Sequence, residues 1–390
     1  MTVASRRRSR LRAGWVALLL AAAQFGALAV TPLTPQRDDE VLEVLPAVTR
    51  SRPARSVAPQ ATADPVASAS QARADIAVAR QTGDTRYWGR AQALLAPWWD
   101  KANAPVDLAV LQATVQQGRH EFDASRKVLV AALARAPGHA QGWLNLAALE
   151  RLSGRYPEAL LACEAVARAG QALYAAACRL ETLSLQGQQA QAAQGLQALL
   201  AQTTDASQGS WLWSLLAESE ERAGRDSAAG QAYTRSLALE HDLYTAIAYS
   251  DLLLRTGKTA QALRVLEPLP ETDAVLLRRA AAWRTVGEPR WTETRALLKE
   301  RAAELVRRGD DPALHGRELA LAALWLDGDA PAALQLARRN LLLQREPLDW
   351  WVALQSARRA SDPAAVADIM AAVRSAGLHD TRLRLPAVPK

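Results

Sequence analysis

From Ala72 onward the apolar positions of the chain recur as copies of one unit. The segments WLNLAALERLSGRYPEALLACEAV, WSLLAESEERAGRDSAAGQAYTRSL and AIAYSDLLLRTGKTAQALRVL superimpose. In each, an apolar-periodic stretch reaches a glycine (Gly154, Gly224, Gly257), and an alanine follows five residues later (Ala159, Ala229, Ala262). Fainter copies run through Gly187 and Ala192, through Gly328 and Ala333, and through Asp362 and Ala367. Counted from Gly154, successive turn residues lie 33, 37, 33, 30, 41 and 34 apart. Each unit predicts two helices. The first ends at the glycine, which can take the left-handed conformation a helix C-terminus needs. The second approaches closely at the small alanine. Pro137 and Pro347 fall between units, where a helix must stop. No such hairpin buries its apolar face alone, so the units must stack into a right-handed superhelix with one continuous core. The expected fold is therefore all-α: a solenoid over residues 108–380 with about seven to eight units. An irregular hairpin over 72–107 precedes it and a tail over 381–390 follows. The unit around Gly287 is distorted by Pro289 and Trp291, and the 41-residue spacing after it predicts padding by an extra turn.

A period centred on 34 residues resembles the tetratricopeptide repeat (TPR) family. In GWLNLAALERLSGRYPEAL, residues Trp143, Leu146, Ala147, Gly154, Tyr156 and Ala159 stand close to that family's consensus, whereas Glu150 occupies a position the family usually gives to an aromatic residue. More narrowly, Thr82–Trp88, Ala96-Pro97-Trp98-Trp99 and Gln344-Arg345-Glu346-Pro347 resemble a group of exported bacterial TPR proteins of uncertain function, whose association with hydrogenase- or urease-accessory membrane permeases implies a metal or membrane context. The resemblance implies a binding scaffold. It does not extend to the chaperone-tail clamp of some TPR domains, because the Lys, Asn and Arg set of that clamp is missing here.

Composition supports helices, since the apolar residues are mostly Ala and Leu and strand-formers are scarce. The formal charge of +7 is misleading. Arg6, Arg7, Arg8, Arg10 and Arg12 supply five of those charges, leaving +2 for residues 30–390. That leaves no basic stripe for nucleic acid. The five arginines precede an apolar run from Trp15 to Phe25 and then Gly26-Ala27-Leu28-Ala29, which predicts a signal peptide cleaved after Ala29. Retained, the same segment would serve as a membrane anchor. The arginine pair also permits a twin-arginine signal. Either fate places the solenoid in the periplasm or an equivalent exported space. Residues 30–71 read as a Pro-rich linker, interrupted by a short amphipathic island at Asp38–Leu45.

Candidate chemistry is sparse. The five histidines (His120, His139, His241, His315, His379) show no metal-ligand spacing, and no nucleophile, Walker or dinucleotide motif appears. No cofactor and no metal are expected, and the chain reads as non-enzymatic; a site assembled between repeats is the alternative. Cys163 and Cys178 fall on helices that the repeat pattern makes antiparallel neighbours, close enough for a disulfide or for two buried thiols. Trp143, Trp213, Trp283 and Trp351 recur at one place in their units and are expected as core wedges. Trp211 lies two residues earlier than Trp213, with Tyr174 and Tyr244 at the same place in flanking units. Glu181, Glu218 and Asp251 each follow seven residues on. These six residues predict an aromatic and acidic stripe on the concave face, suited to an extended peptide of basic character. The function expected is a protein–protein scaffold gripping a partner segment in its groove. The alternative is an assembly factor for a membrane permease or envelope complex.

Overall fold

The computed structural model describes residues 64–307 and 311–384, and among them the secondary structure is helical. The expected export segment and most of the expected linker lie outside these residues. Nine antiparallel hairpins follow one another: α1 (Pro65–Thr82) with α2 (Arg86–Leu95), α3 (Val106–Gly118) with α4 (Phe122–Arg135), α5 (Ala140–Leu152) with α6 (Tyr156–Arg168), α7 (Ala172–Leu185) with α8 (Gln189–Leu200), α9 (Ala206–Arg222) with α10 (Asp226–Leu239), α11 (Leu243–Arg255) with α12 (Thr259–Leu266), α13 (Asp273–Thr285) with α14 (Arg290–Arg307), α15 (Gly316–Ala322) with α16 (Ala330–Leu343), and α17 (Pro347–Arg359) with α18 (Pro363–Ser375). The odd-numbered helices from α3 to α17 line the inner face and the even-numbered ones the outer.

The repeat logic is visible at each turn. At Gly154 the chain takes φ 73°, and the Arg155 N–H reaches back to the Glu150 carbonyl at 2.8 Å, closing the helix end. Ala159, Ala192, Ala229, Ala262 and Ala333 are all buried where outer helix meets inner helix. Two turns escape a search for glycine. His120 (φ 62°) closes α3, with Ser125 buried five residues later, and lies one repeat before Gly154. In the last hairpin the left-handed residue is Ser361 (φ 54°), not Asp362. Asp362 instead caps α18 by accepting the Ala365 N–H at 2.9 Å, and the buried alanine is Ala365 while Ala367 is exposed. The long spacing before Gly328 arises from α14, 18 residues long, and from a 3₁₀ turn over Pro312–His315.

Three further expectations need correcting. The linker does not run to residue 71, because α1 starts at Pro65. Asp64 caps that helix by accepting the Val66 N–H at 2.9 Å, and proline suits a first helical position. The expected tail begins as structure, since Thr381–Leu383 form a 3₁₀ turn with Leu383 buried. The four recurring tryptophans are half-buried rather than enclosed, though Trp143, Trp213 and Trp351 still pack against the core. The large indole rings lie at the edges of the hairpin interfaces, where arginines cover two of them: Arg235 over Trp213 and Arg290 over Trp283, each 4.6 Å from the ring centre.

The superhelix coils tightly enough for its second turn to seat on its first. Gly83, after α1, abuts Thr272 and Leu243. His120 lies 6.5 Å from His315, ring to ring. The Leu152 carbonyl accepts the Arg345 N–H at 2.7 Å, and the Leu185 carbonyl accepts the His379 N–H at 2.8 Å. Gly224 packs against Thr381. Each turn of the early hairpins thus meets a loop found about six hairpins further on, a contact that ordinary open solenoids lack.

Candidate functional site

The inner helices α7, α9 and α11 lie side by side and bring the six stripe residues into one wall. Their N-terminal portions carry the aromatic row. The Tyr174 and Trp211 rings are 5.6 Å apart, and Gln208 donates to the Tyr174 hydroxyl at 3.2 Å. Tyr244 is 61% exposed, yet its hydroxyl donates to Glu218 at 2.7 Å. Two helical turns further along lies the acidic row. Here the structure adds what the sequence did not show: each carboxylate has its own arginine. Glu181 pairs with Arg151 at 2.8 Å and Glu218 with Arg222 at 3.3 Å, and Asp251 receives two bonds from Arg278 at 2.8 Å. These arginines come from the preceding inner helix, from α9 itself and from the following inner helix.

The opposite wall comes from the end of the chain. Arg317 on α15 holds Asp349 through bonds of 2.7 and 2.8 Å and also binds Glu346, which caps α17. Asn340 adds a bond to Asp349 at 2.7 Å. Beside it, Arg382 binds Glu221 at 2.9 Å and Asp380, while Tyr233 and Arg255 also reach Glu221, both at 3.2 Å. Burial raises the Glu218 carboxyl above its ordinary pKa, and the nearby Glu181 and Glu346 carboxylates add to the rise while Arg222 opposes it. The neighbouring Glu218 charge pushes the Tyr244 phenol well above its ordinary range. Burial likewise lifts Tyr156 to about 12. A partly open aromatic ledge therefore stands before a charge-compensated floor.

Cys163 on α6 and Cys178 on α7 form a disulfide, with Cα atoms 5.6 Å apart. It joins the third hairpin to the fourth beneath this wall, and Arg151, the partner of Glu181, lies 3.5 Å from the Cys178 sulfur. Among the described residues no group of three or more potential metal ligands clusters, and no helix is long and apolar enough to cross a membrane. Sequence reasoning found α7, α9 and α11 but missed Arg317, Glu346 and Arg382. Their role depends on how tightly the solenoid coils, which no local pattern encodes.

No protein-family model matches the chain, and no curated protein matches it in sequence. Solved structures do. The Rap protein complexed with competence and sporulation factor aligns over 79% of this chain and 84% of that one, with a TM-score of 0.52 at 10% identity. A tetratricopeptide repeat protein from Parabacteroides merdae aligns over 64% of this chain and 98% of its own, with a TM-score of 0.38 at 12% identity. The P58(IPK) TPR domain aligns over 77% and 99%, with a TM-score of 0.24 at 14% identity. At 10% identity the likeness to the Rap protein is one of fold, and it agrees with the hairpin repeat, the turn residues and the buried alanines described above. The chain has the fold of a tetratricopeptide-repeat protein, an all-α solenoid of stacked helical hairpins.

Proposed function

We propose that the chain is a non-enzymatic scaffold that holds an extended segment of a partner protein against the wall built by α7, α9 and α11. The observation that carries this reading is Tyr244: a large ring, 61% exposed on the inner face, oriented by Glu218 and flanked by the Trp211–Tyr174 pair. Aromatic rings are enriched among the few residues that dominate protein recognition. The acidic row does not attract a basic peptide along its whole length, because Arg151, Arg222 and Arg278 already compensate it. Basic character in the guest is used at one point, a cation over the open face of Tyr244 with Glu218 behind it. With residues 1–29 acting as export signal or anchor, this work takes place outside the cytoplasm, and a membrane protein is the natural source of the bound segment.

Peptides selected on the full chain from a random phage-displayed library, then measured by fluorescence anisotropy, test the reading. Tyr244→Ala and Trp211→Ala are each expected to weaken binding tenfold or more, about 1.4 kcal/mol, with an unchanged circular dichroism spectrum. Selected peptides that bind both variants as well as the parent would remove the site from this wall.

A further inference from the structure

The outer face carries a second surface, chemically unlike the first. Two cavities of about 390 and 240 Å³ flank α10 and share Gln231 and Arg235 as the ridge between them. The floor of one is Tyr249, Leu252 and Leu253 from α11; that of the other includes Trp213 and Leu216 from α9. The floors are built from largely buried apolar and aromatic side chains, reached through the gaps on either side of the outer helix, and the Tyr249 hydroxyl accepts bonds from Thr234 and Gln261 at the rim.

The charges around these floors are unbalanced. Of the carboxylates that line them, Asp226 is bound by Arg255 at 2.6 Å and Glu220 is bound by Arg225. The two lining cations have no such partner. Among the described residues neither Arg235 nor Lys258 has a carboxylate within ion-pair distance, and both are exposed. Arg235 instead lies over Trp213, 4.6 Å from its ring centre, which holds the exposed guanidinium at the ridge. The concave wall is the reverse case, since there every acidic side chain of the stripe already has its arginine.

We infer that this outer groove is a second docking surface, and that its partner is an acidic peptide segment carrying apolar side chains. Its carboxylates pair with Arg235 and Lys258 while its apolar side chains enter the cavities on either side of α10. A guest of this kind pairs with both cations and fills the two cavities; a basic or purely apolar guest does only one or neither. With two surfaces of different chemistry on opposite faces of α9–α12, one molecule can hold two partners at once.

The test uses the full chain and a fluorescein-labelled hexapeptide alternating Glu with Leu and Phe, beside its counterpart with Lys in place of Glu. The acidic peptide is expected to bind, more weakly as salt rises, and the Lys peptide is not. The double variant Arg235→Glu with Lys258→Glu should weaken binding about tenfold or more, the sum of two reversed rim charges. Lys127→Glu with Arg168→Glu makes the same change in net charge on other exposed residues and should leave affinity within about twofold. If the first double variant loses its helical spectrum, Lys258→Glu alone gives the same comparison with a smaller loss. Absence of binding, equal affinity for the two peptides, or equal losses in the two double variants would overturn the inference. So would a single-stranded oligothymidine that displaces the acidic peptide at a lower concentration than unlabelled peptide does, since the groove would then belong to nucleic acid.

Discussion

Two glycines that look alike in the repeat separate local from long-range effects. Gly187 (φ 93°) and Gly257 (φ 74°) both end inner helices in a left-handed conformation. A methyl group at Gly257 meets nothing within 4 Å, whereas one at Gly187 would lie 3.0 Å from the His379 ring in the second turn of the superhelix. Gly257→Ala is expected to cost about 1–2 kcal/mol, the backbone penalty alone. Gly187→Ala should cost about 2–4 kcal/mol, because crowding against His379 is added. Equal losses in urea titrations would mean that the contact with His379 contributes nothing. Glu218 offers a second residue-level test. Its folded pKa is raised, so its contribution to stability is complete below its ordinary value of 4.5 and is lost as pH rises through the higher folded value. Glu218→Gln stays neutral throughout and should gain melting temperature relative to the parent as pH increases from 4.5. A difference that is constant with pH, or that shrinks, would contradict the direction of the shift. The turn glycines and their alanines were legible in the sequence because their role is local. Arg222, four residues after Glu218 on the same helix, follows a local spacing the sequence does carry, whereas Arg151 and Arg278, the partners of Glu181 and Asp251, come from other helices and do not stand out in an Arg-rich chain.

At the level of the element, the hairpins were readable because each one repeats the same two physical requirements, a left-handed helix stop and a small residue at the crossing. Where those requirements are met by other residues, as at His120 and Ser361, the reading slipped by a residue or lost a turn. The exception among helices is α14, which has no fully buried residue along its 18 positions. Its neighbour relations are the least repeat-like, as the spacing of 41 indicated. The disulfide acts at this level too. It bridges α6 and α7 across 15 residues, and constraining a loop of that size stabilises by about 3 kcal/mol in the chain-entropy account. Replacing both cysteines with alanine should lower the denaturation midpoint accordingly without altering helical content. A loss well under 1 kcal/mol would show that packing of Cys163 and Cys178, not the covalent bond, holds the two hairpins together.

The whole molecule departs from the usual behaviour of repeat arrays, in which stability is a sum over neighbouring units. Arg382 reaches Glu221 across 161 residues, and Gln189 reaches the His379 carbonyl across 190. The ends of the solenoid therefore contribute to the stability of its middle. Arg382→Ala removes a largely buried cation from between Glu221 and Asp380 and is expected to cost about 3 kcal/mol or more. The loss should appear as an early, separate unfolding step of the last hairpin, seen as a second transition in calorimetry. A single transition merely shifted to lower temperature would show that the two turns of the coil unfold as one body. The seating of one turn on the other also sets an order of events during synthesis. Hairpins emerging first can form from local contacts within microseconds to milliseconds, but the row of turns at Gly154, Gly187 and Gly224 has to wait for residues 345–382 before its other side exists. Until those residues arrive the early hairpins form an open array, and with their arrival a slow, entropically costly closure converts a string of neighbours into a single body.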